Sequence, residues 1–269
     1  MKLIALCLGA CLSVVSLATN ASSTIYVRYQ HLGKIGYGKL VEDSIYPLKG
    51  DIFSDSSLSS RKMSVRDVNL LLPTKPEKVF VVQAQKQLGE TQANDYQFSF
   101  KLPSALISKG VPIQIPTDAK NIEYSSSLVV VIGKQSKNID TKQASAAIFG
   151  LTVGGDLTEP NWLQHDAHSL RAKSADGFAP IANEIVRGLD FTQIHVSSKI
   201  NGKAINDDAL AEMTYSPAEV VSELSQYFTL KPGDLIYIDL PTHTVEVKDN
   251  DVVSVSLNGI VKVENKIMF

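Results

Sequence analysis

A mostly β fold with few helices is predicted by three features of this 269-residue chain. The first is the stretch Ile122 to Lys134, in which five consecutive apolar residues, Leu128 to Ile132, stop at Gly133. An unbroken run of that length, rich in β-branched residues, fits a strand covered on both faces. The second is a set of short glycine-punctuated strands near the N-terminus. The third is a pair of Asn-Gly dipeptides, Asn201-Gly202 and Asn258-Gly259, each flanked by strand-like segments. Asn-Gly is the strongest two-residue hairpin signal because both turn positions take positive φ.

The first 21 residues are set apart. Lys2 precedes an apolar run from Leu3 to Ala18, followed by small residues at Thr19 and Ala21. This is the pattern of a secretory signal peptide cleaved after Ala21, and it leads us to expect a periplasmic or secreted protein. Leu8-Gly9-Ala10-Cys11 also resembles a lipobox, so a lipoprotein signal is the second reading. The run is too short for a membrane-spanning helix. Both cysteines, Cys7 and Cys11, fall inside it, so the mature chain would carry no disulfide, thiolate metal site or cysteine nucleophile. The whole chain carries 26 basic and 28 acidic residues. That balance gives no basis for a nucleic-acid partner or an anionic membrane surface. No membrane association is expected once the signal is removed.

From Ser22 to Pro73 the sequence reads as a small β-unit. Ile25 to Tyr29 alternates, Gly33 to Gly38 turns into a second strand ending at Val41, and a third lies around Ile45 to Leu48. Ser54 to Ser60 reads as an exposed loop, and Val65 to Leu72 returns to alternation. From 74 to 269 the chain reads as one larger domain. Lys78 to Val82 begins with a strand, Gln83 to Asp95 is a polar loop, and Phe98 to Ile107 is a strand broken by Pro103. Polar residues from Gly133 to Lys142 form a connection, and Trp162 to Gln164 begins a short helix. Ser216, Pro217 and Glu219 form a capping-box start for a helix whose apolar face is Val220, Val221, Leu224 and Phe228. Asp234 to Ile238 is a further strand.

Several ordered motifs resemble the fumarylacetoacetate hydrolase family. The central strand is similar to the family's Tyr-Glu-Gly-Glu-Leu-Ala-Val-Val-Ile-Gly-Lys, and Lys101-Leu102-Pro103-Ser104-Ala105-Leu106 is similar to its Lys-x-Pro-Ser-Ala-Leu. Gly150 to Asp156 resembles Gly-Tyr-Thr-Val-x-Asn-Asp, and Lys173 to Pro180 resembles Lys-x-x-Asp-x-Phe-x-Pro. The resemblance implies a rolled mixed β-sheet with a small N-terminal β-domain, a homodimer, and C–C hydrolysis, isomerisation or decarboxylation of 2-oxo or β-diketo acids. In that chemistry three carboxylates hold a hard divalent cation such as magnesium, manganese or calcium, which polarises the carbonyls.

This sequence departs from the pattern where the chemistry resides. Ser125 and Ser127 stand where the family has its two strand glutamates, leaving Asp156 as the third metal carboxylate. The family's His–Glu water-activating pair has no counterpart, since no histidine lies between His31 and His165. The Thr-Gly-Thr-Pro carboxylate clamp reads Ile238-Asp239-Leu240-Pro241. Asp156 and Lys173 remain, the latter at the position that contacts substrate oxygens. Glu123 lies on the same strand face as Ser125 and Ser127, where it can reach a residual metal site from the edge. His243 follows the altered clamp as a candidate replacement base that would contact substrate. His165 and His168 read as surface polar residues. The structural alternative for Asp156 and Lys173 is an ion pair filling a former cavity. We therefore expect no cofactor, or a weakly held divalent cation if the residual site functions. Three functional readings remain: a degenerate family member binding a small organic acid, an active enzyme in which Lys173 and Asp156 are the catalytic residues for tautomerisation or decarboxylation of a 2-oxo acid with Glu123 helping a weak metal site, and an interaction protein with a filled pocket.

Overall fold

The structure is a computed structural model that describes residues 23–54, 56–84, 96–209, 215–240 and 244–269, the side chains of 84 and 206–209 excepted. It is mostly β, as the sequence predicts, with mixed sheets and few helices. A large sheet runs in the spatial order Ser57–Leu58, Ser44–Lys49, Lys34–Val41, Thr24–His31, Glu184–Arg187, Ile148–Thr158, Ile122–Ile132, Leu235–Asp239, Val79–Ala84 and Tyr96–Lys101. The N-terminal strands thus continue the sheet of the larger region, because Thr24–His31 pairs antiparallel with Glu184–Arg187. A second sheet holds Ile113–Gln114, Val261–Met268, Val252–Leu257, His195–Ile200 and Lys203–Ala209. Both Asn-Gly turns close hairpins within it, and Asn201 and Asn258 adopt the positive φ that this turn demands.

The central strand Ile122–Ile132 is buried on both faces. Ile122, Tyr124, Leu128, Val130 and Ile132 enter the main core, while Val129 and Val131 enter a second cluster with Val79, Val81, Leu235 and Tyr237. Burying each aliphatic side chain contributes roughly 1.5–3 kcal/mol, so the apolar half of this strand anchors both cores. Its antiparallel neighbour Ile148–Thr158 approaches closely. A Cβ on Gly155 would lie 2.3 Å from the Tyr124 ring. Gly155→Ala should therefore destabilise the chain by about 1–3 kcal/mol through overpacking, measured by urea denaturation.

The helix Pro217–Tyr227 starts as its sequence dictates, with Ser216 and Glu219 forming the reciprocal capping box. Several segments differ from expectation. Ser57–Leu58, exposed within the expected loop Ser54 to Ser60, is a short strand paired with Leu48 and Lys49. Residues 133–142 are not only a connection. Asp140 caps a helix over Thr141–Ala147, accepting from the Gln143 N–H while the Gln143 side chain accepts from the Asp140 N–H. Val65 to Leu72 is not one alternating strand. The Ser64 hydroxyl accepts from the Arg66 N–H and opens a 3-10 turn over Val65–Asp67, leaving only Asn69–Leu70 as strand. The polar loop expected from Gln83 to Asp95 starts later, because Gln83 and Ala84 complete the strand Val79–Ala84 by pairing with Gln97 and Tyr96, and residues 85–95 lie outside the described residues. Among the described residues no helix is long and apolar enough to cross a membrane.

Candidate functional site

The site forms at one end of the large sheet, where the central strand meets its two neighbours. Register fixes its geometry. Ser125 lies opposite Asp156, Ser127 lies opposite Asp239, and Glu123 lies opposite Thr158. Directly opposed residues of paired strands project to the same face. Ser125, Ser127, Asp156, Asp239, Thr158 and Glu123 therefore share one face.

Asp156 is the centre of charge. Its side chain is fully buried, and each carboxylate oxygen meets a different ammonium group. Oδ2 accepts a hydrogen bond from Lys173 Nζ at 2.7 Å, and Oδ1 lies 2.6 Å from Lys101 Nζ in a contact that is ionic rather than well directed. Lys173 comes from the short helix Leu170–Ser174 and also donates to the Thr158 hydroxyl at 2.9 Å. Lys101 ends the strand Tyr96–Lys101 and donates to the carbonyls of Leu157, at 3.1 Å, and Lys173. Burial alone would raise the Asp156 pKa, but the two ammonium groups hold it below the ordinary carboxylate range. Burial would lower the Lys173 pKa, and Asp156 outweighs that and raises it. Lys101 has lost all contact with water, and its pKa stays below the usual lysine range despite Asp156.

Asp239 is a second buried carboxyl on the same face. Its Oδ1 accepts from Ser127 Oγ at 2.7 Å and its Oδ2 lies 3.4 Å from Gln83 Nε2. Among the described residues no cation forms an ion pair with it. Burial, with the Asp156 charge added, pushes its pKa up to about 7, against the opposing pull of Lys173, Ser127 and Lys101.

The residues singled out by sequence meet in part. Asp156 and Lys173 form the core of the site. Ser125 and Ser127 face it. Glu123 sits half-buried at its margin, and its charge reaches Lys173 only after those of Asp156 and Asp239. Glu159, three residues beyond Asp156, accepts from the Trp162 N–H and caps the helix Pro160–His165. His165 is exposed and its ring nitrogen bonds the Asn161 carbonyl. His243 lies outside the described residues. Two participants are new. Lys101 sits in a family-like motif, but its role depends on a contact with a strand distant in sequence. Asp239 looks in sequence like a lost clamp and nothing more, whereas the fold turns it into a buried acid.

The donor set does not fit a hard divalent cation. Such an ion takes six or more oxygen ligands, several of them charged. Here the one carboxylate at a family metal position is ion-paired on both oxygens with lysine, and the strand contributes neutral hydroxyls. Among the described residues no three His, Cys, Asp or Glu side chains converge as a ligating group. A cation seated at Asp156 would face two ammonium groups at close range.

Fold and site together define a mostly β, rolled-sheet protein with a buried carboxylate–lysine centre. The chain belongs to the fumarylacetoacetate hydrolase family. Residues 76–268 match the family model described as fumarylacetoacetate (FAA) hydrolase C-terminal, and residues 26–73 match the model described as Rv2993c-like, N-terminal. An uncharacterized protein of Methanocaldococcus jannaschii is 32% identical over 212 residues, covering 77% of this chain and 89% of that protein. The Escherichia coli 4-hydroxyphenylacetate degradation bifunctional isomerase/decarboxylase is 25% identical, covering 86% of this chain and 54% of that protein. A Mycobacterium marinum structure of 2-hydroxyhepta-2,4-diene-1,7-dioate isomerase superposes with a TM-score of 0.83 at 25% identity, covering 91% of this chain and 98% of that one.

Proposed function

We propose that this chain is an exported member of its family that binds a small organic acid without a metal and has lost, or largely lost, the family's metal-assisted catalysis. One observation carries the reading: both oxygens of Asp156 are paired with lysine ammonium groups. Lys173 keeps one N–H beyond its bonds to Asp156 and Thr158 among the described residues, which suits it to a ligand carboxylate. The relatives' names supply the ligand class, since isomerases and a decarboxylase of organic acids are similar over most of this chain. Export rests on the composition of residues 1–21 alone. Homodimerisation is a proposal by likeness to the family.

A second reading, an active isomerase or decarboxylase on a 2-oxo acid, draws on the retained Lys173 and on those same relatives. The two are separated by thermal unfolding in millimolar magnesium or manganese. A ligand that binds only the native state must raise the melting temperature; at 100 times its dissociation constant the gain is about 2.7 kcal/mol. We expect no shift with either ion and no metal-dependent turnover of oxaloacetate. A clear shift accompanied by turnover would establish the enzyme reading instead.

A further inference from the structure

Asp239 is a buried carboxyl that its own chain, among the described residues, leaves without a cation. It is 7% exposed, and its bonding comprises the Ser127 hydroxyl at 2.7 Å and the Gln83 amide at 3.4 Å, the latter long and weak. Both lysines of the site are committed to Asp156 instead. Burying a carboxylate without a cationic partner is costly, and a ligand that brought an ammonium group to it would relieve that cost. The carboxyl lies on the same sheet face as Asp156, whose partner Lys173 keeps one N–H to give. Lys173 and Asp239 influence one another's charge without pairing. One edge of the site thus offers a positive donor and the other a negative acceptor.

We infer that the site recognises a zwitterionic small acid, an amino acid, whose ammonium group pairs with Asp239 and whose carboxylate pairs with Lys173. This deepens the proposed small-acid function and rests on it. A 2-oxo acid of the same skeleton carries a carbonyl oxygen where the amino acid has its ammonium group, so it would set an acceptor against Asp239. A charge-assisted hydrogen bond of this kind is about twice as strong as a neutral one, enough to discriminate by an order of magnitude. Ser127 has the complementary task of orienting the Asp239 carboxyl, which it meets directly across the strand pair.

The test is calorimetric titration of the full mature protein, without added metal, against L-alanine and pyruvate and against L-glutamate and 2-oxoglutarate. We expect each amino acid to bind at least tenfold more tightly than its oxo counterpart. Asp239→Asn should weaken amino-acid binding tenfold or more, and Lys173→Met should weaken all four probes. The wild-type comparison alone decides the matter if a variant fails to fold. Tighter binding of pyruvate or 2-oxoglutarate than of the amino acids would overturn the inference and leave the small-acid function standing. Absence of binding by all four probes would overturn both.

Discussion

Asp156→Ala is expected to lower stability by about 3–5 kcal/mol, the typical cost of removing one partner from a buried charge cluster. The side chain is inaccessible and serves two ammonium groups at 2.6 and 2.7 Å. Its removal leaves Lys101 and Lys173 facing one another with only carbonyl and hydroxyl partners. For a chain of this size each kcal/mol moves the melting temperature by roughly 2–4 °C, so a fall of about 6–20 °C should follow. The deficit has a signature in pH. An uncompensated buried lysine has a depressed pKa, so the unfolded chain binds more protons and stability rises as the solution becomes alkaline. The gap between variant and wild type should narrow between pH 7 and 10. Urea denaturation across that range provides the check; an unchanged midpoint at pH 7 would mean that Asp156 is not the keystone of the buried cluster. By the same argument stability, rather than turnover of acylpyruvate or oxaloacetate, should be the property most affected by this substitution.

What the sequence made legible divides along physical lines. The apolar run Leu128 to Ile132, the Asn-Gly turns and the Ser216–Glu219 capping box are local signals, and each forms the expected element. Asp156 and Lys173 are legible through their motifs, being only 17 residues apart. Lys101 and Asp239 are not, because a buried charge on a strand is defined by what the neighbouring strands bring to it. Lys101 finds its carboxylate on a strand far along the chain, and Asp239 finds Ser127 across 112 residues. Ile238 to Pro241 is informative only about the lost hydroxyls. That Asp239 lies directly opposite Ser127 requires the register of the strand pair. The Thr141–Ala147 helix is hidden for a different reason: its capping residues Asp140 and Gln143 lie inside a polar stretch whose composition also suits a loop.

Asp239→Asn should do the opposite of Asp156→Ala and stabilise the protein above neutral pH. The carboxyl's pKa is raised to about 7 by burial and by the Asp156 charge, from an ordinary value near 4. A raised carboxyl pKa means that the folded chain holds a proton which the unfolded chain has already released. Stability is therefore greatest below the ordinary carboxylate value and declines as pH rises through about 4 to 7. A rise of that size corresponds to at most about 4 kcal/mol, with the pull of Lys173 and Lys101 already contained in it, and this bounds the expected gain. The amide is nearly isosteric and keeps a carbonyl oxygen to accept from Ser127 Oγ, so it removes the charge with little disturbance of packing. Denaturation at about pH 4 and about pH 8.5, on either side of that window, should find the two proteins similar in acid and the variant more stable in base. Two parallel pH profiles would show that folding leaves the Asp239 carboxyl as easily ionised as in the unfolded chain, and its role as an unpaired acid would fall. Adding L-alanine at the alkaline pH should recover part of the wild-type deficit and none of it in the variant, because the ligand's ammonium group would supply the cation that Asp239 lacks among the described residues.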